Sequence, residues 1–169
     1  VNNGVTINSN QIISPDGTQN ADLLTGTSGG FGVVRFSTWT ATNKVASCFA
    51  KKGSTNLFKI SNVSGSVGGV TFNLEDGIVA NEDSGFDGSI ENYGNGWYRC
   101  TAIDTSARTG TFSLGVTAAS ESVYLWGAQL EQGSYETSYI PNYGTSAGVT
   151  RSQDAGGSTG DLSSVVNSQ

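Results

Sequence analysis

Trp97 and Arg99 stand two residues apart in a run, 97–104, that alternates side chains as an extended strand does, so the two share one face. An indole beside a guanidinium suits stacking on a sugar ring and hydrogen bonding to its hydroxyls or carboxylate. Phe49 and Lys51 repeat that spacing on a second run, and Tyr124 shares a face with Trp126 on a third, with Val123 and Leu125 opposite. If these strands are neighbours, Phe49, Lys51, Trp97 and Arg99 line one sheet surface as a polar-aromatic groove. Trp39 closes a further run and is followed by Thr40, Ala41, Thr42 and Asn43, which places it on a rim. The candidate ligand-binding residues are therefore Trp39, Phe49, Lys51, Trp97, Arg99 and Trp126. The competing expectation packs Trp97 and Trp126 in the core while Arg99 reaches outward along its aliphatic stem.

Other chemistry has less to stand on. The chain has no His, which removes the usual Ser–His and Cys–His arrangements and the commonest zinc ligand. Glu75 with Asp76 and Glu82 with Asp83 are adjacent pairs whose side chains diverge on a strand, and Glu131 would need a distant partner; none makes a natural glycosidase dyad. The expectation is a protein that is not an enzyme. Asp16 and Asp22 bracket a Pro-Asp-Gly turn whose oxygens could hold Ca²⁺, although an Asx-type turn at Asp16 and capping by Asp22 explain them more simply. Cys48 and Cys100 fall in separate strands; a disulfide requires those strands to pair, and small core thiols are the expected state.

The elements that must position these residues are short strands. The sequence of 169 residues is sized for one domain with a real core. It holds 24 Gly but only 2 Pro, and its 13% charged residues fall well below the roughly 25% usual for soluble domains. Runs at 5–7, 11–13, 31–40, 45–51, 56–62, 69–74, 78–80, 89–92, 97–104, 111–117 and 123–129 alternate or are β-branched, with Gly-containing turns between them. Residues 14–24 hold at most one helical turn. About eleven short strands predict an all-β, antiparallel β-sandwich of jelly-roll type. Tyr135, Tyr139 and Tyr143 punctuate a segment containing Ile140-Pro141 and are expected to pin a C-terminal strap. Residues 1–151 form the expected module, and 152–169, rich in Ser, Gly and Asp, a linker or the start of another. A net charge of −6 with scattered acids gives no footprint for nucleic acid, and no apolar run reaches the roughly 20 residues of a membrane helix. The sequence does not open with Met and reads as an internal piece of a longer protein.

Several stretches occur in order: Ser14-Pro15-Asp16-Gly17-Thr18, Asn20-Ala21-Asp22, Phe72-Asn73-Leu74-Glu75-Asp76-Gly77, Gly94-Asn95-Gly96-Trp97-Tyr98-Arg99-Cys100, then the stretch 125–133 from Leu125-Trp126-Gly127 to Gly133, and Thr137-Ser138-Tyr139-Ile140-Pro141. Together, over roughly residues 5–152, they resemble the jelly-roll, carbohydrate-binding-module-like domain of phage tail-fibre and tailspike proteins and of polysaccharide-degrading enzymes. The resemblance implies a non-catalytic sandwich that docks a virion or enzyme on a polysaccharide or cell-surface glycan, outside the cell or on the virion surface. It implies framework strands at 94–100 and 125–133, no required cofactor, a possible structural Ca²⁺, and a possible homo-oligomer through the parent protein. Related modules begin with a further strand before the position of Val1, and 161–169 looks like the lead-in to a following domain. The runner-up function is a structural spacer or protein-docking domain of a multimeric fibre.

Overall fold

In a computed structural model, residues 2–27, 32–39, 43–64, 66–106 and 109–141 are described, with 2–3, 32–39, 63–64 and 66–67 described through their backbone alone. Twelve strands run in order among them: β1 (Asn2–Asn3), β2 (Val5–Ile12), β3 (Ala21–Gly26), β4 (Gly32–Trp39), β5 (Lys44–Lys52) and β6 (Leu57–Ser64). The second half supplies β7 (Ser66–Asn73), β8 (Ile78–Glu82), β9 (Phe86–Gly94), β10 (Trp97–Asp104), β11 (Gly110–Val116) and β12 (Ser122–Gln132). They form two six-stranded antiparallel sheets, ordered β1-β4-β11-β6-β7-β8 and β2-β3-β12-β5-β10-β9. From β3 to β6, and again from β10 to β12, each successive strand belongs to the opposite sheet. The expected all-β sandwich is what forms.

Residue size explains how the two sheets meet. The second sheet turns Ala46, Cys48, Ala50, Cys100 and Ala102 inward, and the first answers with Phe58, Ile60, Phe72, Phe112 and Leu114. Small side chains on one wall leave room for large ones on the other, so the two sets fill the interlayer space together. Phe58 and Phe72 are direct cross-strand partners whose rings lie 6.1 Å apart and nearly parallel. Cys48 and Cys100 are also direct partners, on β5 and β10. The strands therefore pair as a disulfide would require, yet both thiols are free and buried. Burial pushes Cys48 up to about 12, and burial together with its neighbour Cys48 raises Cys100 well above the ordinary thiol range.

One end of the sandwich is tied by a buried polar knot. Lys44 opens β5 opposite Asp104, which closes β10, and the ammonium stands 3.6 Å from Oδ2 with both side chains shut off from solvent. Asn62, from the other sheet, donates to the same oxygen at 2.6 Å, and Ser106 donates its backbone N–H to Oδ1 at 2.9 Å and its hydroxyl as well. Burial alone would raise the Asp104 carboxyl, but the Ser106 and Asn62 hydrogen bonds and the Lys44 charge outweigh it and hold it below its usual value.

The expected runs at 5–7 and 11–13 are not separate strands: β2 passes through the Asn-rich stretch between them, with Asn10 at φ 56° absorbing a register shift between Asn8 and Ile12. Residues 14–24 contain no helical turn; 14–19 form a polar loop and Ala21 begins β3, because its pairing with β2 and β12 satisfies the backbone that a lone turn would leave open. The chain divides into compact units at Val1–Tyr139 and Ile140–Gln169. The expected boundary after residue 151 lies outside the described residues.

Candidate functional site

The outward face of the second sheet carries nearly all of the sequence-derived candidates, arranged in cross-strand rows. Tyr124, Lys51 and Trp97 are successive partners across β12, β5 and β10, and Trp126, Phe49 and Arg99 form the next row. Alternation set this up: each of these residues sits two positions from another on its own strand, and the register aligns them. Trp39 is elsewhere. It ends β4 in the first sheet opposite Gly110, and its side chain lies outside the described residues.

Two local irregularities shape the face. A register shift between Trp97 and Tyr98 leaves Tyr93 as an extra residue in β9, and its ring meets Phe49 edge-on with centroids 4.8 Å apart. The turn that follows carries positive φ at Gly94, Asn95 and Gly96, which the Gly-Asn-Gly sequence accommodates cheaply. In β12 the shift between Trp126 and Gln129 is built on Gly127 at φ 62°; a Cβ there would crowd both Phe49 and Tyr139 at 3.1 Å.

Two covers then close over much of the face. Tyr139 packs against Trp126 with ring centroids 4.4 Å apart and planes tilted by 50°, and meets Phe49 edge-to-face at 6.1 Å. Thr137 accepts a hydrogen bond from Arg99 Nη2 through its carbonyl, and Glu131 accepts from the Thr137 hydroxyl and N–H, clasping the strap 133–139 to β12. On the other flank Ile13 accepts the Trp97 indole N–H at 3.2 Å. Trp97 is left 3% exposed, Phe49 3% and Arg99 6%. Arg99 does not reach outward: its guanidinium sits 5.7 Å from the Phe49 ring centroid and bonds Ser47 and Thr137 instead. Trp97 is buried, but beneath the loop 13–20 rather than between the sheets. Phe49, Trp97, Ala21 and the partly buried Ile12, Tyr124, Trp126 and Tyr139 form a second apolar cluster outside the main core.

What stays open is a cleft of about 770 Å³ at the end of the face opposite the Lys44 knot. Its walls are the segment from Gln11 to Gln19 and the turn at Tyr93 to Asn95; Lys51, Trp97 and Tyr124 form the floor. Tyr93 is 46% exposed, and Gln11, Gln19 and Asn95 add amide groups around it. Lys51 Nζ donates to the Asn95 carbonyl at 2.6 Å, which holds turn and floor together. The described residues that line the cleft include no Asp or Glu. Tyr93, Gln11 and Gln19 were outside the sequence candidates; the bulge at Tyr93 and the fold-back of 11–19 depend on pairings that no local pattern announces.

The acidic residues singled out earlier serve the framework. Asp16 accepts from the Ser14 hydroxyl, from the Thr18 N–H and hydroxyl, and from the Asn20 amide, an Asx-type turn that holds its carboxyl down at about 2. Asp22 accepts from the Asn10 N–H. No group of three or more Cys, Asp or Glu among the described residues is placed to share a metal. Glu75 pairs with Lys52, Asp83 with Lys59, and Glu82 accepts from the Gly88 N–H. No helix among the described residues is long and apolar enough to cross a membrane. No protein-family model and no curated protein matches the chain.

Proposed function

We propose that this sandwich is a non-catalytic carbohydrate-binding module that recognises a polysaccharide or cell-surface glycan in the cleft between the 11–19 loop and the Tyr93 turn. The observation that carries this reading is the composition of the cleft. An exposed tyrosine and a half-buried tyrosine offer apolar faces to sugar rings, while Lys51 and three side-chain amides offer hydrogen bonds to hydroxyls. The lack of carboxylates among its described lining favours binding over glycoside hydrolysis, which calls for a carboxylate pair. The alternation of strands between sheets supports a jelly-roll connectivity, the architecture of the domains the sequence resembles.

Of the residues that spacing brought forward, Lys51 touches the ligand directly, and Trp97 lies buried in the floor beneath it. Phe49, Arg99, Trp126 and the strap hold the floor rigid, so that recognition costs little ordering of the protein. Single contacts of this kind are worth about 0.5–1.5 kcal/mol, which gives micromolar to millimolar affinity per site and makes repetition in a multimeric parent useful. An extracellular or virion-surface setting follows from such a ligand. A glycan array probed with the chain tests the proposal: saturable retention on one class of polysaccharide is expected, and no retention on any class would overturn it.

A further inference from the structure

We propose that the seam between β3 and β12 is a second binding site, specific for a small organic ammonium: an apolar body of about one ring carrying a primary amine. The seam opens because two ladders fail at one place. β12 pairs with β3 only from Ser122 to Leu125 and then turns aside at the Gly127 bulge, and β2 leaves its register with β3 after Asn8. Between them lies a pocket of about 250 Å³ that shares no lining residue with the carbohydrate cleft. Its volume equals roughly eight waters of liquid, too little for a drug-sized ligand and enough for a single ring with a short arm.

The chemistry of the walls selects the ligand. Ile7, Leu24, Leu125 and Trp126 make the lining mainly apolar, and Asp22 is the one carboxylate in it. Asp22 Oδ1 accepts from the Asn10 N–H at 3.0 Å, which fixes the side chain and leaves Oδ2 for an incoming donor. Beside it, Asn20 has its amide nitrogen committed to Asp16 at 3.1 Å. That bond assigns the flip of the amide and leaves Oδ1 out of solvent without a hydrogen-bond partner among the described residues. A primary ammonium supplies charge to Asp22 and the donor that Asn20 lacks. A neutral alcohol of the same shape fills the volume but forfeits the charge-assisted bond.

The test is a two-dimensional ¹H–¹⁵N NMR titration of the chain with benzylammonium, beside benzyl alcohol as the uncharged analogue, on wild type and Asp22→Asn. The amide keeps an oxygen for the Asn10 N–H, so the variant retains its local fold, checked by an unchanged melting temperature. Benzylammonium is expected to shift the Leu125, Gly127 and Asp22 resonances saturably, with affinity between about tenfold and a hundredfold above that of benzyl alcohol and reduced by a similar factor in Asp22→Asn. Equal affinity for the two probes on wild type, no saturable shift at the seam, or undiminished binding by a folded Asp22→Asn variant overturns the proposal. Because the cleft shares no residue with the seam, these outcomes are independent of the glycan array.

Discussion

Asp104→Asn is the sharpest test of the buried knot that joins the two sheets. The substitution keeps side-chain shape and an oxygen acceptor, but it removes the charge 3.6 Å from the Lys44 ammonium in a place where both side chains are excluded from water. Breaking a buried ion pair by neutralising one partner costs about 3–5 kcal/mol, because the other charge stays desolvated without the carboxylate that faced it. A single amide oxygen can keep the Ser106 donors but not the Asn62 donor as well, so the expected loss is about 3–5 kcal/mol, or roughly 6–20 °C in melting temperature for a chain of this length. Removing both charges in Lys44→Met/Asp104→Asn, which keeps an oxygen for the Ser106 donors, should recover part of that loss. The pH dependence has a fixed sign. Asp104 is held below its unfolded value of about 3.9, so its contribution is present above that pH and is lost as pH falls through the lower native value. The gap between wild type and Asp104→Asn should therefore be full at neutral pH and narrow below about pH 4. Urea denaturation followed by tryptophan fluorescence at pH 7 and pH 3 reads both quantities. A variant within about 1 kcal/mol of wild type at neutral pH, or a gap that is the same at both pH values, would refute the reasoning.

Two further outcomes follow from the packing. Cys48 and Cys100 should resist a thiol reagent such as dithionitrobenzoate in the native protein and titrate as two thiols in denaturant; rapid native reaction would contradict their burial and raised pKa values. Phe49→Ala should cost about 3–5 kcal/mol in urea denaturation, since the ring supports Tyr93, Trp126, Tyr139 and the Arg99 guanidinium; a loss under 1 kcal/mol would mean that the outer cluster holds nothing together.

Alternation made the second sheet legible in the sequence. The limits of β10 match the run at 97–104 residue for residue, and the period of two put Phe49 with Lys51, Trp97 with Arg99 and Tyr124 with Trp126 on shared faces of their own strands, which the register then joins. β3 escaped because Ala-Asp-Leu-Leu-Thr-Gly has a weak alternation and takes its strand form from β2 and β12 on either side. Exposure on the shared face was equally out of reach. Arg99 is capped by a carbonyl 38 positions away and Trp97 by one 84 positions away, and spacing along a strand carries no information about such contacts. The same limit hid Tyr93, whose place in the cleft comes from a bulge rather than from a run. Trp39, the remaining candidate, belongs by its backbone to the opposite sheet.

The claim that the cleft reads a glycan through tyrosine stacking is tested most directly by affinity on an immobilised polysaccharide identified by array, compared among wild type, Tyr93→Ala and Tyr124→Ala. Each variant should bind about 2- to 13-fold more weakly, the equivalent of one lost stacking contact, with melting temperatures close to wild type for the exposed Tyr93 in particular. Undiminished retention by both folded variants would contradict the assignment of the cleft.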